Sequence, residues 1–266
     1  MKPFISVITV CLNAATFIEQ TIQSVLAQTY PKIEYIIIDG GSTDGTVDII
    51  RKYESSLAYW HSKPDRGLAQ AFNLGLAQAK GAWILFLNAD DFFLNPTVLD
   101  EMAPYLAAHP EADVIYGDTV IMSFASEPKP MPFRRGQSAS WSWQKLRWLG
   151  MFGTIPHQSA FTSWRYFARV GNFAEGLKIS VDYEHYLRGG RNLRVLHVRL
   201  PVSGMRVGGL AARNIIQTFR ECRWGQQQTG ALPPPLAWLS FFYMVGRYYL
   251  SRMLHRILDP LYSRVA

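Results

Sequence analysis

Two hydrophobic periods alternate along the first 120 residues. Residues 4–11 (FISVITVC) are apolar almost without interruption and rich in β-branched side chains, the pattern of a strand buried on both faces. Over 16–28 the period changes, and Phe17, Ile18, Ile22, Val25 and Leu26 share one stripe at helical spacing. The same reading predicts strands at Ile33–Asp39, 57–61, 82–87 and 112–116, with helices at 46–53, 70–79 and 96–108. Such alternation predicts an α/β fold, with a mostly parallel central sheet and helices on both faces. Ligands of these sheets bind beyond the carboxyl ends of the strands. Polar residues collect at those ends: Asn13, Asp39, Asp90 and Asp91.

Beyond residue 120 the pattern loosens. Residues 123–156 are dominated by Ser, Pro, Arg and Trp, with helical spacing only over 141–149, and predict a long loop acting as a lid on the acceptor side. The segment 236–245 is strongly apolar but about half the ~20 residues a bilayer span needs. After it, Leu250, Met253, Leu254, Ile257 and Leu258 form a stripe, with Arg247, Arg252 and Arg256 on other faces. That predicts a basic amphipathic helix of the interfacial kind, led in by Trp238, Phe241, Phe242, Tyr243, Tyr248 and Tyr249. The chain thus divides into two parts of one domain, 1–120 and 121–205, and a tail at 206–266.

Charge sharpens the picture of the tail. The net charge is +7, yet 187–266 holds twelve arginines against Glu221 and Asp259, which leaves 1–186 at about −3. An anionic partner is expected there. The arginines interleave with a hydrophobic helix and no nucleic-acid module is present, so a lipid surface is expected and nucleic acid is not. A non-enzymatic basic scaffold stays as an alternative. Cys11 and Cys222 match no metal or disulfide spacing, which fits a reducing compartment. The start, MKPFISVITV, lacks a signal peptide's layout and predicts a first strand in a cytoplasmic protein.

Three stretches carry candidate chemistry. "DGGSTDGT" (39–46) turns from strand to helix with glycines that permit close backbone approach, at a helix N-terminus that favours anions. "PDRGLAQAFNLGLAQAKG" (64–81) places Asn73 and Gly75 inside a helix, where each is unfavourable relative to Ala, so something local should require them. "WILFLNADD" (83–91) runs an apolar strand into Asp90 and Asp91. Adjacent carboxylates repel, and a hard divalent cation holding a nucleotide diphosphate would relieve them. A nucleotidyltransferase would share these features, but "CLNAATF" lacks the Gly-rich basic loop expected after its first strand.

Together, "SVITVCLNA", "IIIDGGSTDGT", "DRGLAQAFNLG" and "ILFLNADD" resemble, in order and spacing, the family 2 glycosyltransferases, of the kind acting in surface polysaccharide biosynthesis. The resemblance is strong over roughly 3–120. It implies the Rossmann-like GT-A fold and an inverting transfer from a nucleotide-diphosphate sugar (UDP or GDP) with Mn²⁺ or Mg²⁺. It assigns Thr9, Asn13, Asp39, Gly41, Ser42, Asp65, Gly67, Asn73, Asp90 and His157 to the nucleotide sugar, and Asp91, with Asp90, to the metal. Asn88 departs from the family's first acid. "VDYEHYLR" resembles the family's base segment and makes Asp182 the general base, with Glu184 the one nearby acid expected to lift its pKa. The implied acceptor is a glycan or lipid-linked saccharide, met on the inner face of the cell membrane.

Overall fold

The computed structural model describes residues 2–123, 129–136 and 141–262. Of the loop expected over 123–156, residues 124–128 and 137–140 lie outside the described residues. The first half alternates as its periods require: β1 (Ile5–Cys11), α1 (Ile18–Leu26), β2 (Ile33–Asp39), α2 (Thr46–Lys52), β3 (Tyr59–Ser62), α3 (Leu68–Gln78), β4 (Trp83–Phe86), β5 (Asp91–Phe93), α4 (Val98–Ala108) and β6 (Val114–Met122). There follow β7 (Pro130–Gly136), α5 (Trp143–Leu149), β8 (Ala160–Ser163), α6 (Trp164–Val170), α7 (Val181–Gly189), β9 (Val195–Arg206), α8 (Leu210–Arg213), α9 (Ile215–Gln228) and α10 (Pro234–Tyr262).

These strands form one sheet in the order β3-β2-β1-β4-β8-β6-β9-β5, with β7 added to β6. The four strands β3, β2, β1 and β4 pair in parallel, as do β6 and β9. The remaining pairings are antiparallel. The sheet therefore runs across the 120/121 boundary, since β4 is hydrogen-bonded to β8 and β5 to β9. Helices cover both faces. On one, Ile18, Ile22 and Val25 of α1 pack with Leu99 and Met102 of α4 against Ile5, Val7 and Leu85. On the other, Phe72 and Leu76 of α3 pack with Phe167 of α6 against Ile8, Ile36 and Phe86.

Gly75 follows from this packing. A Cβ there would lie 2.5 Å from Ile8 Cγ2, so only glycine lets α3 sit this close to the sheet. Within the tail, α9 and α10 pack against the rest of the protein. Phe219 and Cys222 of α9 and Met244 of α10 are fully buried in a third cluster, with Tyr183 and Leu187 of α7 and Leu146 of α5. Both cysteines are free and buried. The apolar segment and the amphipathic stripe of the tail belong to one continuous helix, α10. Among the described residues no helix is long and apolar enough to cross a membrane.

Candidate active site

The carboxyl ends of β1, β2 and β4 open onto one rim, and the loops leaving them are laced together. Asn13 is the one non-glycine residue with positive φ among the described residues (51°). That conformation, which Asn tolerates better than most residues, brings its Oδ1 to accept from Thr43 N at 3.0 Å, while its own N–H donates to Ser42 Oγ at 2.7 Å. Ala14 N donates to Thr46 Oγ1, and Ala15 N to Asp44 Oδ2.

Asp39 builds this turn from within. It is fully buried, and its carboxylate accepts from Gly41 N, Ser42 N, Ser42 Oγ and Ser62 Oγ. Burial pushes its pKa up, but the bonds from Ser42 and Ser62 outweigh burial and hold it below the ordinary value. Gly41 takes φ +88°, and a Cβ there would meet the Pro64 backbone at 3.0 Å. Beside it, a Cβ on Gly40 would lie 2.8 Å from Asp65 Oδ2, so the absence of side chains at 40 and 41 admits Asp65 to the rim. Asp65 Oδ1 in turn accepts from Gly67 N at 2.8 Å, closing the turn that starts α3.

Two expected ligand contacts are spent inside the protein. Thr9 is fully buried, bonded to Tyr35 Oη at 3.0 Å and donating to Leu87 O at 2.8 Å, so it ties β1 to β2 and to the end of β4. Asn73 donates from Nδ2 to Phe173 O at 3.0 Å and accepts Phe173 N on Oδ1 at 2.9 Å. That two-point clamp, holding the loop before α7 against α3, is what required Asn in the helix.

The Asp90–Asp91 pair resolves into two environments. Asp91 opens β5 and is 3% exposed. Burial, then the neighbouring Asp90, raise its pKa well above the carboxylate range, against the pull of Arg206. Its backbone O accepts from Thr21 Oγ1. The expectation that Asp91 is the leading metal ligand therefore meets a carboxyl enclosed on the core side. Asp90 stays half-buried at the rim, its pKa raised by burial and pulled back by Arg206, His157 and Arg213. Arg206 went unnoticed in the sequence because it ends a strand (β9) with no clear period. Its guanidinium is buried, sandwiched between the rings of Phe17 and Phe92, and donates to Asp90 O at 2.6 Å. A protein cation thus already stands behind the two acids.

Opposite the rim, α7 presents Asp182. His157 lies between it and the β4 end: its Nδ1 is 3.3 Å from Asp182 Oδ2, and its Nε2 is 2.9 Å from Asn88 Nδ2. With the Asn88 amide donating to Nε2, the ring proton sits on Nδ1, facing Asp182. Asn88, set aside in the sequence, thereby joins the end of β4 to Asp182 through His157. Its Oδ1 is buried and has no partner. Glu184, expected to act on Asp182, has its carboxylate in an ion pair elsewhere. It turns to Arg188 at 2.8 Å, and Arg188 in turn holds the carbonyls of Val170 and Asn172. Instead, α7 is fixed by Glu221 of α9, whose carboxylate accepts the N–H groups of Lys178, Ile179 and Ser180 just before the helix.

No group of three or more His, Cys, Asp or Glu side chains among the described residues could hold a metal. The donors present are Asp90 and the unpartnered Asn88 Oδ1, hard oxygens two residues apart. That set fits an Mg²⁺ or Mn²⁺ ion completing its shell with phosphate oxygens and water.

Comparison with known proteins agrees with this geometry. Residues 6–170 match the model of glycosyl transferase family 2. A PGL/p-HBAD biosynthesis glycosyltransferase of Mycobacterium bovis is 28% identical over 232 residues, 82% of each chain. The crystal structure of S. aureus TarS 1–349 in complex with UDP superposes with TM-score 0.63 at 19% identity, covering 92% of this chain and 72% of that one. The mannosyltransferase PcManGT from Pyrobaculum calidifontis, in complex with GDP-Man and Mn²⁺, gives TM-score 0.62 at 17% identity over 100% of this chain and 81% of that one. These last two share the GT-A fold with it.

Proposed function

Because this chain belongs to glycosyl transferase family 2, we propose that it moves a sugar from a nucleoside-diphosphate donor to an acceptor hydroxyl with inversion, Asp182 acting as general base. The observation that carries this reading is the run Asn88–His157–Asp182, in which His157 links the end of β4 to the Asp182 carboxylate. The laced turns at Asn13, Gly41–Ser42 and Asp65–Gly67 form the bed for the nucleotide. Asp39 acts by holding that bed. Similar proteins have been crystallised with UDP or with GDP-Man and Mn²⁺, which supports a nucleotide sugar as donor.

In the reaction the acceptor hydroxyl approaches the anomeric carbon on the face away from the diphosphate. Asp182 Oδ2 takes the hydroxyl proton as the new C–O bond forms and the bond to the diphosphate breaks. The His157 Nδ1–H beside Asp182 orients that carboxylate before transfer. Asp90 and Asn88 Oδ1 would hold a divalent cation, which when bound neutralises charge on the leaving diphosphate. Arg206 steadies the Asp90 turn from behind.

The acceptor is a glycan or lipid-linked saccharide of the cell surface. Support comes from the relative named for PGL/p-HBAD biosynthesis, an assignment that concerns that protein's product class. The test pairs a thermal-shift screen of UDP- and GDP-sugars, with Mn²⁺ or Mg²⁺, with an assay of the Asp182→Asn variant. Donors that bind the native state raise its melting point. The variant should keep that shift and lose transfer; a variant that still transfers overturns the assignment of the base.

A further inference from the structure

The outward side of α10 has the wrong polarity for a helix on a protein surface. Its inward side is accounted for, since Ala237, Ser240 and Met244, spaced three and four apart, are buried, and Ser240 donates to Trp148 O. A surface helix should turn polar residues outward. Here Leu239, Phe242, Tyr243, Tyr249, Leu250 and Met253 project away from the protein, each between 47% and 62% exposed. At 100° per residue they fall within one arc opposite Met244, and no charged residue interrupts it. Both faces of the helix are thus apolar.

Charge decides what covers the outer face. Arginines border the arc: Arg247 and Arg252 are exposed on α10, while Arg223 of α9 lies 3.9 Å above the ring of Trp238. Residues 234–254 contain no Asp or Glu. A second copy pairing through this face would bring like charges to one seam with no acid within 234–254 to separate them. An anionic lipid surface instead gives every element a partner. Arginines meet the phosphates, Trp238, Tyr243 and Tyr249 sit at headgroup level, and the aliphatic and Phe side chains enter the acyl boundary. The helix cannot cross the bilayer, so it lies in the interface.

We propose that α10 docks this protein flat on an anionic membrane through its Leu239–Phe242–Leu250–Met253 face, with Arg247 and Arg252 as the electrostatic rim. This does not depend on the reaction proposed above, and its test reads binding rather than transfer. The full chain is sedimented with vesicles of phosphatidylcholine alone, and of phosphatidylcholine with phosphatidylglycerol, at low and high salt. The wild type should co-sediment with the anionic vesicles and release with salt. Leu239→Glu with Phe242→Glu, and separately Arg247→Gln with Arg252→Gln, should each weaken partition roughly tenfold or more. Both pairs change exposed side chains, and the arginine pair leaves the apolar face intact. No binding by the wild type, equal binding to both vesicle types, or partition unchanged in both variants would overturn the proposal. So would a wild-type dimer in solution that the Leu239/Phe242 variant converts to monomer.

Discussion

At the scale of single residues, adjacent acids behave as opposites. Asp91 is enclosed, its pKa raised well above the ordinary value by burial and then by Asp90. Asp90 is half-buried at the rim and is the carboxylate proposed to meet a cation. Exchanging each for Asn separates them. Asp91→Asn replaces the enclosed acid by an amide of the same shape that carries no charge at any pH. A buried acid with a raised folded pKa costs stability as pH rises above its unfolded value, so this variant should melt at or above the wild-type temperature at pH 7.5. It should also keep cation-dependent donor binding. Asp90→Asn should leave the melting temperature within about 4 °C, a change on the order of 1 kcal/mol, and abolish the cation dependence. Calorimetric melts with and without Mn²⁺ and donor check both; Mn²⁺ dependence lost in Asp91→Asn and kept in Asp90→Asn would reverse the assignment. The sequence could show that two acids end an apolar run. It could not show which one turns inward, because the packing around them includes residues far along the chain, Arg206 among them, which holds the Asp90 carbonyl. The roles of Thr9 and Asn73 were hidden for the same reason: their partners, Leu87 and Phe173, are distant in the chain.

At the scale of elements, legibility followed the locality of the forces. β1, β2 and β4 are buried on both faces, so each is written as an apolar run, and the helices between them carry their own stripes. β5 has three residues and β8 four, too few for a period. β9 contains Pro201 and changes its register with β6 around Asp118, so its pattern is broken where it pairs. The segment that forms α7 was singled out by resemblance, but its support was not, since α9 reaches it only through the fold. Glu221 accepts three backbone N–H groups at the start of α7, the end of a helix that favours negative charge. Glu221→Gln must turn an amide N–H₂ toward those donors. We expect a loss of about 1–3 kcal/mol of stability, as for a charge-assisted hydrogen bond. Turnover should fall more than donor affinity, because the donor bed lies on the other wall. Chemical denaturation and a kcat-against-donor-Kd comparison check this; a variant that loses donor binding first would place Glu221 in the nucleotide wall instead.

At the scale of the whole molecule, the clusters meet at one buried histidine. His185 stacks on Phe167 and lies 4.5 Å from Phe173, both of the α3-side core, while Tyr166 of the C-terminal core donates to its backbone O at 2.6 Å. Its Nε2 lies 2.9 Å from Gly171 O, which makes that nitrogen the proton-bearing donor. Burial first, and the charge of Arg188 second, depress its pKa from 6.5 to about 3. The sign follows directly. Between those two values the unfolded chain binds a proton that the folded chain refuses, so this contribution to stability is complete above pH 6.5 and shrinks as pH falls toward 3. Each pH unit in that window removes up to about 1.4 kcal/mol. From pH 7.5 to 5 the loss is about 2 kcal/mol, or a fall of roughly 4–8 °C in melting temperature. His185→Phe keeps the aromatic stack and cannot take a proton. It leaves Gly171 O without that donor, so it should be about 1 kcal/mol less stable at pH 7.5. It should then lose less on acidification, and by pH 5 it should match or exceed the wild type. Parallel melts at the two pH values decide this by difference, because the carboxylates common to both proteins cancel. Since His185 shares α7 with Asp182, acid that opens this junction also loosens the wall bearing the base, and transfer should decline irreversibly only where the melts show the wild type unfolding.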